Sequence, residues 1–303
     1  MRLCAVSVDL DEIPNYYGIH GLPEPAGPER SLVYDVAVDR LTALGRELDV
    51  PLTLFAIGSD LARPEAAAKL AAAHAAGCEI ANHSLDHRYD LVRLGRAEIV
   101  RQVDEGARAI ERATGARPVG FRAPGYTITD EVFDVLAELG VAYDSSVFPC
   151  PPYWAAKAAA IGLISLRGRT SRSIVDTPAV LTAPTRPYRI GRPYWRRGGG
   201  LLELPVQVTR GLRAPFFGTS VTLGGPRVAR MLARMCVGEP LVNLELHGID
   251  VLDAGDGLEA LRPHQVDVRV PWPRKLAALR AVVAELRRAE YRFVRLRDVV
   301  AAF

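Results

Sequence analysis

Short apolar segments that alternate with helical patterns constrain the fold of this chain most. Runs typical of buried strands occupy residues 3–8, 52–57, 78–82 and 118–121, and segments with helical periodicity that end at Gly or before Pro separate them. A strand-then-helix order of this kind is typical of βα units around a parallel sheet. We therefore predict an α/β fold with a barrel-like sheet, and 303 residues are enough for one such domain.

The second half of the chain departs from this order before it returns to it. Residues 150–200 are rich in Pro and Arg, for example from Thr185 to Arg197, and are predicted as an irregular insertion. Its arginines could simply be solvated. Alternatively, its aromatic rings could bind a sugar and its arginines a phosphate, and contact with a membrane surface is a further alternative. Predicted strands at residues 201–206 and 241–246 resume the pattern, so residues 1–303 are interpreted as one domain with an insertion.

Charge and cysteine content exclude several classes of protein. A net charge of +3 is too small to indicate a nucleic-acid partner. The four cysteines are scattered without a Cys-x-x-Cys pair, which is typical of reduced thiols. The apolar start of the chain is short and is interrupted by carboxylates, and no segment approaches the roughly 20 apolar residues of a spanning helix. We therefore expect a cytoplasmic protein.

Acidic and imidazole side chains follow two of the predicted strands. Asp9 and Asp11 come after the first strand, where alternation turns both side chains to the same side. Residues 13–23 are predicted as a loop, so these acids have no helix to cap, which favours a chemical role. His83 and His87 follow the third strand. Because the carboxyl ends of the strands meet on one face of a barrel, we expect all four side chains on that face.

The spacing of His83 and His87 alone is weak evidence for a metal site, but other strand ends add to it. Arg122, Asp144 and His247 also follow predicted strands. One Asp and two His with open positions can hold a divalent metal ion that lowers the pKa of bound water. A second carboxylate can then accept a proton from the water, and a separate His can protonate the leaving group.

The order of these residues resembles that of the polysaccharide deacetylase family, the NodB-homology group of carbohydrate esterases. The resemblance covers nearly the whole chain, and the Asp-x-Asp form is similar to that of intracellular members. It rests on Asp9-Leu10-Asp11, His83-Ser84-Leu85-Asp86-His87, Arg122-Ala123-Pro124, Asp144-Ser145 and the strand that ends at His247.

The resemblance implies a distorted (β/α) barrel of about seven units. It also implies metal-dependent removal of an N-acetyl group from an amino sugar. Carried over by position, Asp11, His83 and His87 would be the ligands of a divalent metal ion, which we expect to be Zn²⁺.

The remaining roles also follow from the resemblance. Asp9 would be the general base that activates a metal-bound water, and Arg122 would hold and orient Asp9. His247 would be the general acid for the departing amine. A backbone N–H near Gly125 or Tyr126 would face the oxyanion.

Two further carboxylates and the substrate stay open at this point. Asp144 fits the family pattern loosely and could be structural, and Asp250 competes to orient His247. We expect a small-molecule or glycan substrate, such as a glycoside or a nucleotide-linked or lipid-linked amino sugar that bears a phosphate. Alternatives are a deformylase, an allantoinase-like hydrolase of a cyclic amide, and a non-catalytic carbohydrate-binding protein, which the full set of candidate residues disfavours.

Overall fold

A curled, mostly parallel sheet forms the centre of the protein. The computed structural model describes residues 2–303. The strands are β1 (Arg2–Asp9), β2 (Leu52–Ala56), β3 (Glu79–Asn82), β4 (Gly120–Phe121), β5 (Tyr143–Asp144), β6 (Tyr188–Ile190), β7 (Arg197–Glu203), β8 (Leu241–His247) and β9 (Tyr291–Phe293). The helices are α1 (Ile13–Ile19), α2 (Val38–Glu47), α3 (Pro64–Ala75), α4 (Arg96–Thr114), α5 (Asp130–Glu138), α6 (Pro151–Leu166), α7 (Gly218–Cys236), α8 (Trp272–Arg288) and α9 (Leu296–Val299).

The strand order is β6-β7-β5-β4-β3-β2-β1-β8, and β9 pairs with the first residues of β1. All pairs are parallel except β6 with β7. The chain after β7 joins the two sides of the curled sheet. Leu204 donates its N–H to the Asp144 carbonyl on β5 at 2.8 Å, and Gln207 donates its N–H to the Asn243 carbonyl on β8 at 3.1 Å. The predicted distorted (β/α) barrel is confirmed.

Helices cover the outside of this sheet and bury its apolar side chains. The largest core cluster includes Val6, Val8 and Leu54 on the strands, Leu41 on α2 and Leu279 on α8. Strands this apolar are typical of parallel sheets that are covered on the outside by helices. Within residues 2–303, no helix is both long enough and apolar enough to cross a bilayer.

Helix α1 lies where the sequence predicts a loop, so the prediction for residues 13–23 is wrong over Ile13–Ile19. The side chain of Glu12 caps the helix by accepting the N–H of Ile13 at 3.4 Å, and Pro14 lies in the first turn, where it is tolerated. Glu12 also accepts the N–H groups of Val33 and Tyr34, both at 3.1 Å. This one carboxylate therefore fixes α1 against the start of the following helical segment.

The predicted insertion contains an ordered helix that its Pro-rich start conceals. Pro151 and Pro152 occupy the first turn of α6, and an alanine-rich stretch continues the helix to Leu166. After α6 the chain is largely irregular until β6 and β7. The last strand, β9, ends at Phe293, and α9 begins three residues later at Leu296.

Candidate metal centre and active site

Side chains from four strand ends meet at the carboxyl edge of the barrel. Asp9 is paired in register with His247 on the neighbouring strand, so the ends of β1 and β8 lie side by side. The structure brings six of the predicted site residues into this region, namely Asp9, Asp11, His83, His87, Arg122 and His247.

Asp11, His83 and His87 form a compact buried cluster. Asp11 Oδ1 lies 3.3 Å from His83 Nε2, and Asp11 Oδ2 lies 3.2 Å from His87 Nε2. The two imidazole centroids are 4.8 Å apart. The carboxylate thus faces both rings at once, with one oxygen toward each.

The two imidazoles converge through a tight turn after β3. Ser84 and His87 both have positive φ, at 68° and 50°, and the Ser84 hydroxyl accepts the backbone N–H of His87 at 3.1 Å. Left-handed backbone is costly for residues other than glycine, and such strain is typical of functional sites. The turn aims both rings at Asp11.

Neighbouring groups fix which nitrogen of each imidazole faces Asp11. His83 Nδ1 lies 2.7 Å from the backbone carbonyl oxygen of Arg122, and His87 Nδ1 lies 3.2 Å from Oδ1 of Asn15 on α1. Each Nδ1 can donate its hydrogen to these oxygens, which leaves Nε2 of each ring toward the carboxylate. Such outer contacts are typical of metal-ligating histidines.

Burial and mutual attraction shift the pKa values within this cluster. Burial opposes the charge on Asp11, but His87 and His83 outweigh it and hold the pKa of Asp11 well below its usual range. Burial lowers the pKa of His87. Burial acts in the same direction on His83, where Asp9 and Asp11 outweigh it and raise the pKa. The low pKa of Asp11 favours its anionic form, next to one imidazole with a raised pKa and one with a lowered pKa.

The cluster fits a divalent cation. Oδ1 of Asp11 and Nε2 of His87 are buried and make no hydrogen bond within residues 2–303. Burying a polar atom without a partner is costly, and a metal ion would remove that cost. Two imidazole nitrogens and one carboxylate oxygen are a donor set that Zn²⁺ accepts, with positions left for other ligands.

Arg122 fixes Asp9 beside this cluster. The guanidinium is fully buried and donates from Nη1 to Asp9 Oδ1 at 2.6 Å. It also donates to Oγ of Ser7 and to the carbonyl oxygen and hydroxyl of Ser145, at 2.8–2.9 Å, and stacks on the Phe55 ring at 4.1 Å. The second Asp9 oxygen, Oδ2, lies 3.6 Å from His83 Nε2. One oxygen of Asp9 is thus held by Arg122 while the other faces the cluster.

His247 faces the same space and is paired with a carboxylate that the sequence analysis does not single out. Its Nε2 lies 4.0 Å from Asp11 Oδ2, and its Nδ1 lies 2.9 Å from Oε1 of the fully buried Glu245. Burial disfavours the charged imidazole, but Glu245 outweighs it and raises the pKa of His247 well above its usual value. Glu245 lies within the predicted strand 241–246, and the two-residue period of a strand would have placed it on the side of His247.

The structure also decides between Glu245 and Asp250. Asp250 accepts the backbone N–H of His247 at 2.8 Å, so it fixes the end of β8 rather than the imidazole. Burial, reinforced by nearby Asp267, raises the pKa of Asp250 to about 7. Of the two carboxylates, Glu245 therefore contacts the ring of His247, and the competing candidate Asp250 contacts its backbone.

Asp144 lies at the end of β5, next to Ser146 and Glu203. Its oxygens accept the N–H and the hydroxyl of Ser146 at 2.9 and 2.8 Å. It packs against Glu203, and burial raises the pKa of both carboxyl groups. These contacts are those of a structural residue.

The segment predicted to supply the oxyanion donor is a strained turn. Gly125 and Tyr126 both have positive φ, at 63° and 58°. The N–H of Tyr126 donates to the Ala123 carbonyl at 3.1 Å, and the Gly125 carbonyl accepts Nζ of Lys157 at 2.8 Å. The backbone N–H of Tyr126 is therefore occupied, contrary to the prediction. Its ring lies 6.2 Å from that of His247, and its hydroxyl is buried without a hydrogen-bond partner in the described chain.

A family model described as polysaccharide deacetylase matches residues 31–143. This range contains the turn with His83 and His87, and also Arg122. The resemblance to the polysaccharide deacetylase family is confirmed. A comparison with curated proteins gave no match.

Solved structures show that the polysaccharide deacetylase fold extends beyond the matched range. A candidate polysaccharide deacetylase from Mycobacterium smegmatis is 21% identical with a TM-score of 0.63, over 99% of this chain and 90% of that chain. The Xyl-CE4 domain of a multidomain xylanase from the hindgut metagenome of Trinervitermes trinervoides is 12% identical with a TM-score of 0.51, over 99% and 90%.

Another structure of the same fold is a CE4 family pseudoenzyme from Bacillus anthracis. It is 13% identical with a TM-score of 0.53, over 99% of this chain and 65% of that chain. At these identities the likeness establishes the fold alone. Support for activity therefore comes from the side chains of this chain.

Proposed function

We propose that this protein is a metal-dependent N-deacetylase of an amino sugar. The family match supports a hydrolase that acts on an acetylated carbohydrate. The observation that carries the finer proposal is the Asp11–His83–His87 cluster, which lies directly beside the Asp9–Arg122 and Glu245–His247 pairs. A protein that only bound a carbohydrate would have no need for these buried, costly charges.

Asp11, His83 and His87 would hold the metal ion, which we expect to be Zn²⁺. When bound, such an ion polarises a carbonyl and makes water a better nucleophile near neutral pH. The chain contributes the orientation of its three ligands, which Asn15 and the carbonyl of Arg122 maintain.

Asp9 is proposed as the general base. Its Oδ2 is turned toward the cluster while Arg122 holds Oδ1, so one oxygen can accept a proton without loss of position. The opposite assignment, with Asp9 as ligand and Asp11 as base, is less favourable. Asp11 contacts both imidazoles at 3.2–3.3 Å, whereas Asp9 is held by a guanidinium.

His247 is proposed as the general acid that protonates the departing amine. Glu245 favours its protonated form and fixes the ring, and Nε2 points into the space shared with Asp11. Each of the two groups thus has an oppositely charged partner of its own, Arg122 for Asp9 and Glu245 for His247.

Tyr126 is proposed to contact the substrate through its side chain. Its buried hydroxyl lacks a partner within residues 2–303, and its ring packs edge-on toward His247. A hydrogen bond from this hydroxyl to the reacting carbonyl would satisfy it and would stabilise the charge that develops there. Gly125 stays a prediction as the backbone donor.

The substrate class and the cellular location are also proposals. We infer a small glycoside or a nucleotide-linked or lipid-linked amino sugar as substrate, and we keep a cytoplasmic location as a prediction. Fractionation of the native host, with detection of the full-length chain, would test the location.

Metal analysis combined with acetate release tests the function. The panel contains N-acetylated sugars, nucleotide sugars and lipid-linked sugars, together with their N-formyl forms and a cyclic amide. We expect one bound metal ion in the wild type, its loss in His83→Ala, and acetate release that disappears in Asp9→Asn while the metal stays.

Full activity after complete metal removal, or undiminished turnover in Asp9→Asn, would overturn the proposal. Release of formate in place of acetate would identify the deformylase alternative. Opening of the cyclic amide alone would identify the allantoinase-like alternative.

A further inference from the structure

Helix α6 is apolar on all sides and yet is not covered by the rest of the protein. None of its 16 residues is buried, and Lys157 is its only charged residue. Leu163 is 48% exposed and Leu166 is 86% exposed. A helix that is hydrophobic all round is normally buried in a core or in lipid. Residues 2–303 do not bury α6, so we expect another molecule to cover it.

The first half of α6 is attached to the active site. Lys157 donates to the carbonyl of Gly125 at 2.8 Å, and the ring of Tyr153 lies 5.9 Å from that of Tyr126. Trp154 donates from Nε1 to the carbonyl of Asp176 at 2.9 Å. These contacts fix the start of the helix beside the turn that adjoins His247.

The segment that follows α6 contacts α1, on the other side of the active site from Tyr126. Arg172 donates its backbone N–H to the carbonyl of Gly18 on α1 at 3.1 Å. Helix α1 also carries Asn15, which contacts the metal-ligand candidate His87. Helix α6 and its continuation therefore extend along the rim of the active site, from the Tyr126 side to the α1 side.

Basic and apolar residues extend the exposed surface around α6. Arg167 and Arg169 follow the helix directly, are exposed, and form no ion pair among residues 2–303, whereas Arg172 is paired with Glu24. Leu212 is 73% exposed. The backbone carbonyl of its neighbour Arg213 accepts a hydrogen bond from Sγ of Cys150, the residue before α6, at 3.3 Å. An apolar surface with adjacent arginines matches lipid chains beside anionic headgroups.

We propose that α6 docks this protein on an anionic membrane surface, with the active-site opening toward the lipid. Sixteen residues span about 24 Å, which is too short to cross a hydrocarbon core of about 30 Å, so the helix would lie in the interface. A second copy of the chain would cover only one face of α6, whereas apolar residues lie on all of its sides.

Docking in this orientation favours one class of substrate. An amino sugar joined through phosphate to a lipid would present its N-acyl group at the rim, and Arg167 and Arg169 would lie near the headgroup phosphates. This substrate class rests on the proposed deacetylase function. The membrane contact does not.

Flotation with lipid vesicles tests the docking. We expect the metal-loaded full-length protein to float with phosphatidylcholine vesicles that contain phosphatidylglycerol, and much less with phosphatidylcholine alone. The double variant Leu163→Glu/Leu166→Glu should lower the partition coefficient by at least about tenfold, since it places charge where apolar area would be buried. Met231→Glu, at an equally exposed apolar position on α7 (52%), should bind like the wild type.

A second variant separates the charge from the apolar contact. Arg167→Ala/Arg169→Ala should weaken binding to the anionic vesicles by about fivefold for each arginine and leave the weak binding to neutral vesicles unchanged. Wild-type protein that stays out of the vesicle fraction would overturn the proposal, as would a Leu163→Glu/Leu166→Glu variant that floats like wild type. A wild-type dimer by light scattering that this variant converts to monomer, without vesicle binding, would identify a second copy as the occupant and would also overturn it.

Turnover of an embedded substrate tests the consequence. The rate on a vesicle-embedded, phosphate-linked N-acetyl amino sugar, divided by the rate on a soluble N-acetyl amino sugar, should fall at least about tenfold in Leu163→Glu/Leu166→Glu. Vesicle binding without acetate release from any sugar would defeat the proposed function and support the docking. Acetate release by a protein that does not bind vesicles would do the reverse.

Discussion

The Nδ1 atom of His247 lies 2.9 Å from Oε1 of Glu245, two residues earlier on β8. Residues two apart on a strand share a side, so β8 turns both side chains into the barrel. Glu245 is fully buried. Within the described chain, no group other than the His247 ring is placed to donate a hydrogen bond to its oxygens. The same strand therefore supplies the proposed acid and the carboxylate that raises its pKa.

This pairing predicts a change in the pH profile of Glu245→Gln. Glu245 raises the pKa of His247, so its removal should lower that pKa. Because His247 must be protonated to act as an acid, activity should be lost at a lower pH on the alkaline side. The profile of kcat against pH measures this shift.

Asp250→Asn is the matched control for that variant, because Asp250 accepts the backbone N–H of His247 whereas Glu245 faces its ring. Its alkaline limb should move less than that of Glu245→Gln. An unchanged alkaline limb in Glu245→Gln would show that His247 is not the acid or that Glu245 does not set its protonation.

Much of the metal-ligand cluster could be predicted from sequence because it depends on local rules. Asp9 and Asp11 share a side through strand alternation, and His83 and His87 follow another parallel strand, whose end lies at the same edge. These rules place side chains at an edge without any knowledge of long-range contacts. The distance of 3.2–3.3 Å from Asp11 to both imidazoles then confirms the expected convergence.

The parts that could not be predicted depend on tertiary contacts. Glu245 stands among apolar residues, and only its position opposite His247 inside the closed sheet explains its burial. The N–H of Tyr126 is lost to a tight turn that the Pro124-Gly125 sequence does not specify. Helix α6 begins with two prolines and lacks an apolar stripe, so periodicity could not reveal it.

Arg122→Lys should lower kcat by roughly 100-fold with little change in metal content. Lysine keeps the positive charge but cannot hold Asp9 and the two serines together, because it lacks the planar fork of donors. A small misplacement of the proposed base is enough for a loss of about that size. Steady-state kinetics with metal analysis would show it, and turnover within a few-fold of wild type would argue against a positioning role.

Removal of the metal ion should destabilise the protein measurably. A ligand that binds only the folded state at 1,000 times its Kd adds about 4 kcal/mol to the free energy of unfolding. We expect the melting temperature of chelator-treated protein to rise when Zn²⁺ is added. Asp11→Asn should reduce that rise strongly, whereas Asp144→Asn should retain it because Asp144 lies outside the cluster. Equal responses in both variants would contradict the ligand assignment.

Tyr126→Phe tests the side-chain contact proposed for the substrate. We expect kcat to fall by about 10- to 100-fold if the buried hydroxyl donates to the reacting carbonyl, in line with the loss of one such donor. The control is Tyr34→Phe, since that hydroxyl is also buried, has no hydrogen-bond partner within residues 2–303, and lies near Asp60 and Glu12. Similar kcat values for both variants would remove Tyr126 from the proposed site.

Glu203→Gln should make the stability of the protein less dependent on pH on the alkaline side. Burial raises the pKa of Glu203 well above its usual value, and Asp144 raises it further. A carboxyl group whose pKa is raised by folding stabilises the protein below its ordinary pKa, and that contribution is lost as pH rises through the raised value. Glutamine keeps an oxygen to accept the N–H of Val147, as Glu203 does at 3.0 Å, and gains an N–H for Asp144 without titrating. Urea unfolding at a series of pH values should therefore show the variant gaining stability relative to wild type as pH increases. A constant difference would mean that folding does not raise the pKa of Glu203.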